Sequence, residues 1–156
     1  MKYIVLAVVV VIAIFYFTKN ASNKKVAVEN IAIGKDFLAK NKANQGVVET
    51  ASGLQYQVLQ KGEGNTRPSA SSTVKVHYHG LLLDGTVFDS SVERGEPISF
   101  ALNQVIKGWT EGVQLMVVGD KFKFFIQSEL GYGDRATGKI TSGSLLIFEV
   151  ELLEIQ

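Results

Sequence analysis

From Leu54 to Ile155 the apolar residues recur mostly at every second position, and that rhythm restricts the chain to antiparallel sheet. Leu54, Tyr56 and Val58 alternate with Gln55, Gln57 and Leu59 before KGEGN turns the chain. Val74, Val76 and Tyr78 alternate with Lys75, His77 and His79. Asp84-Gly85, between Leu81-Leu82-Leu83 and Thr86-Val87-Phe88, is a hairpin signal, because such turns need residues that accept a left-handed backbone. Pro97 opens a strand with Ile98 and Phe100 on one face. Phe122, Phe124 and Ile126 share a face of Lys121–Gln127, and Leu146, Phe148, Val150 and Leu152 share one of Leu145–Ile155.

One segment breaks this rhythm. Asn103 is a candidate helix cap, and Ile106, Trp109, Val113 and Met116 follow at helical spacing until Gly119. Gly108 and Gly112 each cost about 1 kcal/mol inside a helix, so two of them imply that something approaches its backbone closely. A sheet with one apolar face needs cover, and this helix is the only cover the pattern offers. The expected fold is α+β: a twisted antiparallel sheet of about five strands wrapped around one short helix, with an N-terminal apolar helix.

The N-terminal run Tyr3–Phe17 carries no charge, proline or glycine. As a helix it extends roughly 22–25 Å, short of the roughly 30 Å hydrocarbon core of a bilayer. A cleaved signal peptide fits Lys2 and the length, but no small-x-small site follows Thr18-Lys19. A single-pass anchor in the inner membrane fits better, with Tyr16 and Phe17 at the interface. Lys19, Lys24 and Lys25 outnumber Lys2 and argue for a cytoplasmic C-terminal part. Residues 19–45 are polar and read as a linker, with Ile33, Phe37 and Leu38 marking a short helix that ends before Gly46. The expected division is 1–18 anchor or signal, 19–45 linker, and 46–156 the globular domain.

The chemistry-bearing residues are sparse. The 156 residues include 16 Lys and Arg against 15 Asp and Glu, so no basic field points to nucleic acid. Without cysteine there is no thiol nucleophile, thiolate metal site or disulfide. His77-x-His79 places two imidazoles on one strand face, but no third ligand at matching spacing makes a zinc site. The stretch Gly131–Gly138 lacks the Lys-Ser/Thr of a phosphate loop and does not lead from a strand into a helix. What is abundant is aromatic side chains, enough to line an apolar pocket beyond what the core takes.

Five segments carry a resemblance over most of the sheet region. Val76-His-Tyr-His-Gly80, Asp84-Gly-Thr-Val-Phe-Asp-Ser-Ser91, Val105-Ile-Lys-Gly-Trp109, Leu130-Gly-Tyr-Gly133 and Leu146-Ile-Phe-Glu-Val-Glu-Leu-Leu153 resemble the FKBP family of peptidyl-prolyl cis-trans isomerases. The approach Gly46-Val-Val-Glu-Thr-Ala-Ser-Gly-Leu-Gln-Tyr56 is similar to the bacterial Mip-like branch. The resemblance implies an isomerase that rotates X-Pro bonds and assists folding, with no cofactor and no metal. Its partners are proline-containing polypeptides, with macrolides as inhibitors. It also implies a periplasmic domain, against the lysine count. That branch carries a long helical dimerisation module, but the short stretch between anchor and domain leads us to expect a monomer here.

By position, the resemblance assigns Tyr78, Asp89, Ile106 and Tyr132 to the catalytic group and Phe88, Phe100, Val105, Trp109, Ile140 and Phe148 to substrate binding. Trp109 forms the floor, Ile106 offers its backbone N–H, Tyr132 its hydroxyl, and Asp89 takes Arg94 as ion partner. Three positions depart from the family pattern. Ile140 is followed by Thr141-Ser142-Gly-Ser where Pro-Pro is common, His79 stands where a small residue is usual, and Ile98 replaces a rim aromatic. A looser Ile140 loop motivates an alternative, a non-catalytic chaperone or peptide-binding module using the same pocket.

Overall fold

A computed structural model describes residues 2–156, with side chains from Val11 onward. In chain order the elements are α1 (Lys2–Asn41), β1 (Val47–Glu49), β2 (Gln55–Gln60), β3 (Thr73–Leu81), β4 (Val87–Ser90), α2 (Ser91–Arg94), β5 (Ile98–Ala101), α3 (Lys107–Val113), β6 (Lys121–Ile126) and β7 (Leu146–Ile155). The strands form one antiparallel sheet in the order β1-β2-β6-β7-β3-β4, with β5 also paired to β3. It has seven strands rather than about five. β1 is too short to display a period, and β4 and β5 share one edge of β3 end to end.

Register follows from the alternation. Across β6 and β7, Phe122 faces Val150, Phe124 faces Phe148 and Ile126 faces Leu146, all buried on the inner face. In the same register Lys121 lies opposite Glu151 and Lys123 opposite Glu149, which sets opposite charges across from each other on the outer face. A one-residue slip would turn the phenylalanines outward and the lysines into the core.

α3 packs on the inner face and buries Trp109 and Val113, with Met116 just beyond its end. The two glycines are explained by the sheet. A Cβ on Gly112 would lie 2.6 Å from the Phe124 ring, and one on Gly108 2.7 Å from Ile126. The close approach is thus between helix and sheet, which sets the depth at which Trp109 sits. Asn103 does not cap this helix. It lies in a 3-10 turn (Leu102–Gln104), while Ile106 occupies the cap position without a side-chain bond. The Thr110 hydroxyl instead donates to the Leu102 carbonyl at 2.6 Å and ties turn to helix.

The N-terminal reading needs two corrections. Where a polar linker with a short helix was expected, one helix runs unbroken from Lys2 to Asn41. Its inward stripe is Ala27, Ile31, Gly34, Leu38 and Asn41, at alternating spacings of four and three. Three of the five are small or polar, so counting apolar residues does not find the stripe, and Ile33 is exposed. Leu38 and Phe37 pack on Phe125, Leu145 and Ile147, which covers part of the sheet's outer face. Gln55, which alternation places outward, is fully buried beneath this helix, donating to the Leu38 carbonyl (2.8 Å) and accepting from Asn41 (2.9 Å).

The second correction concerns the membrane. Among the described residues no helix is long and apolar enough to cross a bilayer. The inner-membrane anchor expected over 3–17 is withdrawn, and with it the orientation argued from the lysines. The run is short for the hydrocarbon core, and the same helix continues through Lys19, Lys24 and Lys25. Part of that expectation rests on the side chains of residues 2–10, which lie outside the described residues.

Candidate active site

A cavity of about 880 Å³ lies over Trp109 of α3, lined by residues of β3, β4, β5 and β7 and of the loops beside them. Every residue assigned from sequence lines it: Tyr78, Asp89, Ile106 and Tyr132, together with Phe88, Phe100, Val105, Trp109, Ile140 and Phe148. These come from β3, β4, β5, the turn into α3, α3 itself, the loop after β6, and β7, so only the closed fold unites them.

Trp109 lies at the centre of an aromatic cluster. Tyr78, Phe100 and Phe148 meet it edge to face, with ring centroids 5.4, 5.5 and 5.3 Å away. Phe88 meets Phe148 in the same manner at 5.2 Å. Such perpendicular pairs set the positive ring edge against the negative face and fix each ring's orientation. Gly80 makes room for this wall, since a Cβ there would lie 2.6 Å from Phe88 and 3.0 Å from Phe148. The indole Nε1 of Trp109 is buried and has no hydrogen-bond partner among the described residues.

The polar side of the cavity is a three-residue network. The Tyr78 hydroxyl donates to Asp89 Oδ2 at 2.5 Å, Arg94 donates to the Tyr78 oxygen at 3.0 Å, and Arg94 also pairs with the other Asp89 oxygen. Burial pulls the Asp89 carboxyl upward, but the hydrogen bonds from Tyr78 and Arg94 together outweigh it and hold the group below its ordinary value. Burial, and next the carboxylate of Asp89, push the Tyr78 hydroxyl above its ordinary value. Asp89 is thus ionised and Tyr78 a neutral donor at physiological pH. The Asp89 and Arg94 side chains stay about half exposed, so the pair is an orienting device more than a source of stability.

Ser90 and Ser91 hold this network in place. Ser90 Oγ caps α2 by accepting from the Glu93 N–H at 3.1 Å, which fixes the turn that carries Arg94. The buried Ser91 hydroxyl accepts from the Tyr78 N–H at 2.7 Å and donates to its carbonyl at 3.2 Å. His77 and His79 hydrogen-bond through Nδ1 to Ser91 and Ser90, at 2.9 and 2.7 Å. No cluster of three or more His, Cys, Asp or Glu able to hold a metal is found among the described residues.

Sequence reasoning missed the charged mouth of the cavity, where Lys107, Glu129, Asp134, Arg135 and Lys139 stand with Gln104 and Thr137. Most lie in an irregular loop, where no period marks which residues face inward. The paired serines were in plain view in the Asp89-Ser-Ser91 run, but their bonds to Tyr78 depend on β3 and α2 meeting.

Comparison with known proteins gives a consistent result. Residues 64–153 match the model of the FKBP-type peptidyl-prolyl cis-trans isomerase family, and residues 10–58 match that of the domain amino-terminal to it. The chain is 57% identical over 136 residues to the FKBP-type peptidyl-prolyl cis-trans isomerase FkpA of Aeromonas hydrophila, covering 87% of this chain and 50% of that protein. It is 43% identical over 139 residues to the outer membrane protein MIP of Legionella longbeachae, covering 88% of this chain and 59% of the other. The crystal structure of FkpA from Escherichia coli superposes with a TM-score of 0.91 at 41% identity, over 98% of this chain and 71% of that one. The chain spans about half to three-fifths of the length of the curated relatives it matches.

Proposed function

Since the chain belongs to the FKBP-type peptidyl-prolyl cis-trans isomerase family, we propose that its cavity catalyses rotation about X-Pro bonds in proline-containing polypeptides and so assists their folding. The observation that carries this reading is the cavity itself: an aromatic bowl floored by Trp109, with one ionised and hydrogen-bonded wall at Asp89. It offers no nucleophile paired with a base, and the reaction needs none. Rotation of a peptide bond is opposed by a barrier of about 18–20 kcal/mol, because amide resonance is lost at the twisted geometry. The twisted amide carries less charge separation than the planar one, so an apolar, water-poor bowl favours it.

In this reading the prolyl ring rests on Trp109 between Tyr78, Phe100 and Phe148. The backbone N–H of Ile106, at the head of α3, donates to a substrate carbonyl, and the Tyr132 hydroxyl donates to a second. Asp89 lies beside the rotating bond and, with Arg94, keeps the Tyr78 hydroxyl aimed. Ile140 and Phe88 close the rim, and macrolide inhibitors compete for the same bowl. The test is cis-to-trans conversion of an X-Pro tetrapeptide by the full chain. Acceleration that vanishes when Phe148 and Trp109 are both replaced by alanine supports the reading. A folded native chain that leaves the uncatalysed rate unchanged overturns it.

A further inference from the structure

The segment Gly131–Leu145 carries both Tyr132 and Ile140 to the cavity, and it lacks the prolines that would stiffen it. At its tip, Thr137 and Ile140 exchange two backbone hydrogen bonds of 2.9 Å. At its base, the Gly143 N–H donates to the Gly133 carbonyl at 3.0 Å, beside Tyr132. These bonds hold the loop to itself. Inward, Ile140 is buried in the main core and the Gly133 N–H donates to the Ser128 carbonyl at 2.7 Å. On the outer side the loop is held by α1.

The contact is specific. The Asn30 amide donates to the Ser142 carbonyl at 2.9 Å and to Thr141 Oγ1 at 3.1 Å, using both of its N–H bonds. A carbonyl can only accept, so the Ser142 contact fixes which end of the amide faces the loop. The Thr141 hydroxyl also shares a hydrogen bond of 2.7 Å with the Ser144 hydroxyl. Three residues earlier on α1, Ala27 lies against Gly143, where a Cβ would come within 2.5 Å of the Ala27 carbonyl oxygen. Gly143 also has φ +73°, so its lack of a side chain serves both the turn and the contact. Four residues after Asn30, Gly34 meets Leu145, its own Cβ position 3.2 Å from that of Leu145. Ser142 is 2% exposed and Ala27 3%, while Asn30 is half-buried and Thr141 exposed, so the seam is closed at Ser142 and open to solvent at Thr141.

We propose that Asn30 is a positioning residue for the isomerase site: by clamping Thr141 and Ser142 to α1 it holds Ile140 and Tyr132 at the rim. The proposal rests on the cavity's being the isomerase site. Ile140 is one residue from the clamp, and Tyr132 is joined to it through the Gly143–Gly133 bond. The helix thus supplies the restraint that proline would otherwise give the loop. Asn30 does not reach the cavity, so it acts on how well substrate is held, with the rotation step left to the bowl.

The experiment compares the native full chain with Asn30→Ala, Asn30→Asp and, on the same helix but away from the seam, Lys40→Ala. Alanine is the best helix former and Asn30 is only half-buried, so α1 survives the first change. Aspartate cannot donate, and it sets a carboxylate against the Ser142 carbonyl. With an X-Pro tetrapeptide, KM rises by about three- to tenfold in Asn30→Ala and further in Asn30→Asp, while kcat stays within about twofold. Amide exchange at Ile140 and Gly143 speeds up by a similar factor, with Phe124 and Val150 unchanged as a check on the core. Lys40→Ala matches the native chain in both. Unchanged KM and unchanged exchange at Ile140 and Gly143 in Asn30→Asp overturn the proposal, as does a fall confined to kcat. If the native chain does not accelerate the peptide, the isomerase reading fails. The exchange rates then decide by themselves whether Asn30 holds the loop.

Discussion

Tyr78, Asp89 and Arg94 sit on β3, β4 and α2, and each side chain satisfies the other two. The consequence is a carboxylate whose pKa is held below its ordinary value, so it is charged throughout the neutral range. Its folded pKa is lowered, so the contribution of the pair is fully present above the unfolded aspartate value of about 3.9 and is lost as pH falls through the folded value. Isomerase rate is therefore expected to be flat from about pH 5 to 9 and to decline only below the ordinary aspartate range. Asp89→Asn should remove that acid limb, and a pH profile with an inflection near 6 would contradict the assignment. Asp89→Ala should lower kcat/KM by about tenfold, the cost of one charge-assisted hydrogen bond that orients Tyr78. Ser91→Ala should have a comparable effect although it never touches the cavity, because it leaves the buried Tyr78 N–H without its acceptor. Peptide kinetics on the two variants check both expectations.

At the scale of elements, α3 works because its glycines let it sink onto the sheet. Gly112→Ala gains about 1 kcal/mol of helix propensity but drives a Cβ to 2.6 Å from the buried Phe124 ring. Overpacking of that kind costs about 1–3 kcal/mol. A net loss of stability, seen as a lower urea midpoint at unchanged slope, is expected together with weakened substrate binding, since Trp109 rises with the helix. The loop that bears Tyr132 and Ile140 is the other decisive element. Its sequence announces flexibility, yet its base is buried, because α1 lies along it.

For the whole molecule, α1 meets the rest of the domain in contacts of different character: the polar seam at Asn30 on the loop, the apolar patch around Leu38, and the buried bonds of Leu38 and Asn41 to Gln55. Leu38→Ala should cost about 2–4 kcal/mol at that patch, because Leu38 is buried against Phe125 and Leu145. The expected result is local: faster amide exchange in α1 and at Gln55, with the β3, β6 and β7 core protected as before. Equal loss of protection throughout would show that helix and sheet unfold as one unit.

Much of this molecule was legible in its residues. Alternation determined the strands β2, β3, β6 and β7 and the inward faces of β3, β6 and β7, and the single helical period around Trp109 determined what covers them. Those signals are local: a period of two or of 3.6 is a property of neighbours, and water reads it before the fold exists. The aromatic side chains of the bowl were legible for the same reason, and the resemblance ordered them into a site. What the sequence left undecided depends on segments far apart. Gln55 reads as an outward strand residue and is buried because Leu38 and Asn41 descend on it. Gly108 and Gly112 announced a close approach, and only the packed sheet shows that Phe124 and Ile126 make it. The linker became a continuous helix because its inward stripe of Ala27, Gly34 and Asn41 earns burial by fit and hydrogen bonding, which no hydropathy count records. The alternating sheet region with its one helical break therefore prescribed the strands, the inward faces of β3, β6 and β7, and the covering helix. The hold of α1 on the Ile140 loop, by contrast, was set by tertiary structure, since a hydrogen bond between residues 30 and 142 exists only once both are in place.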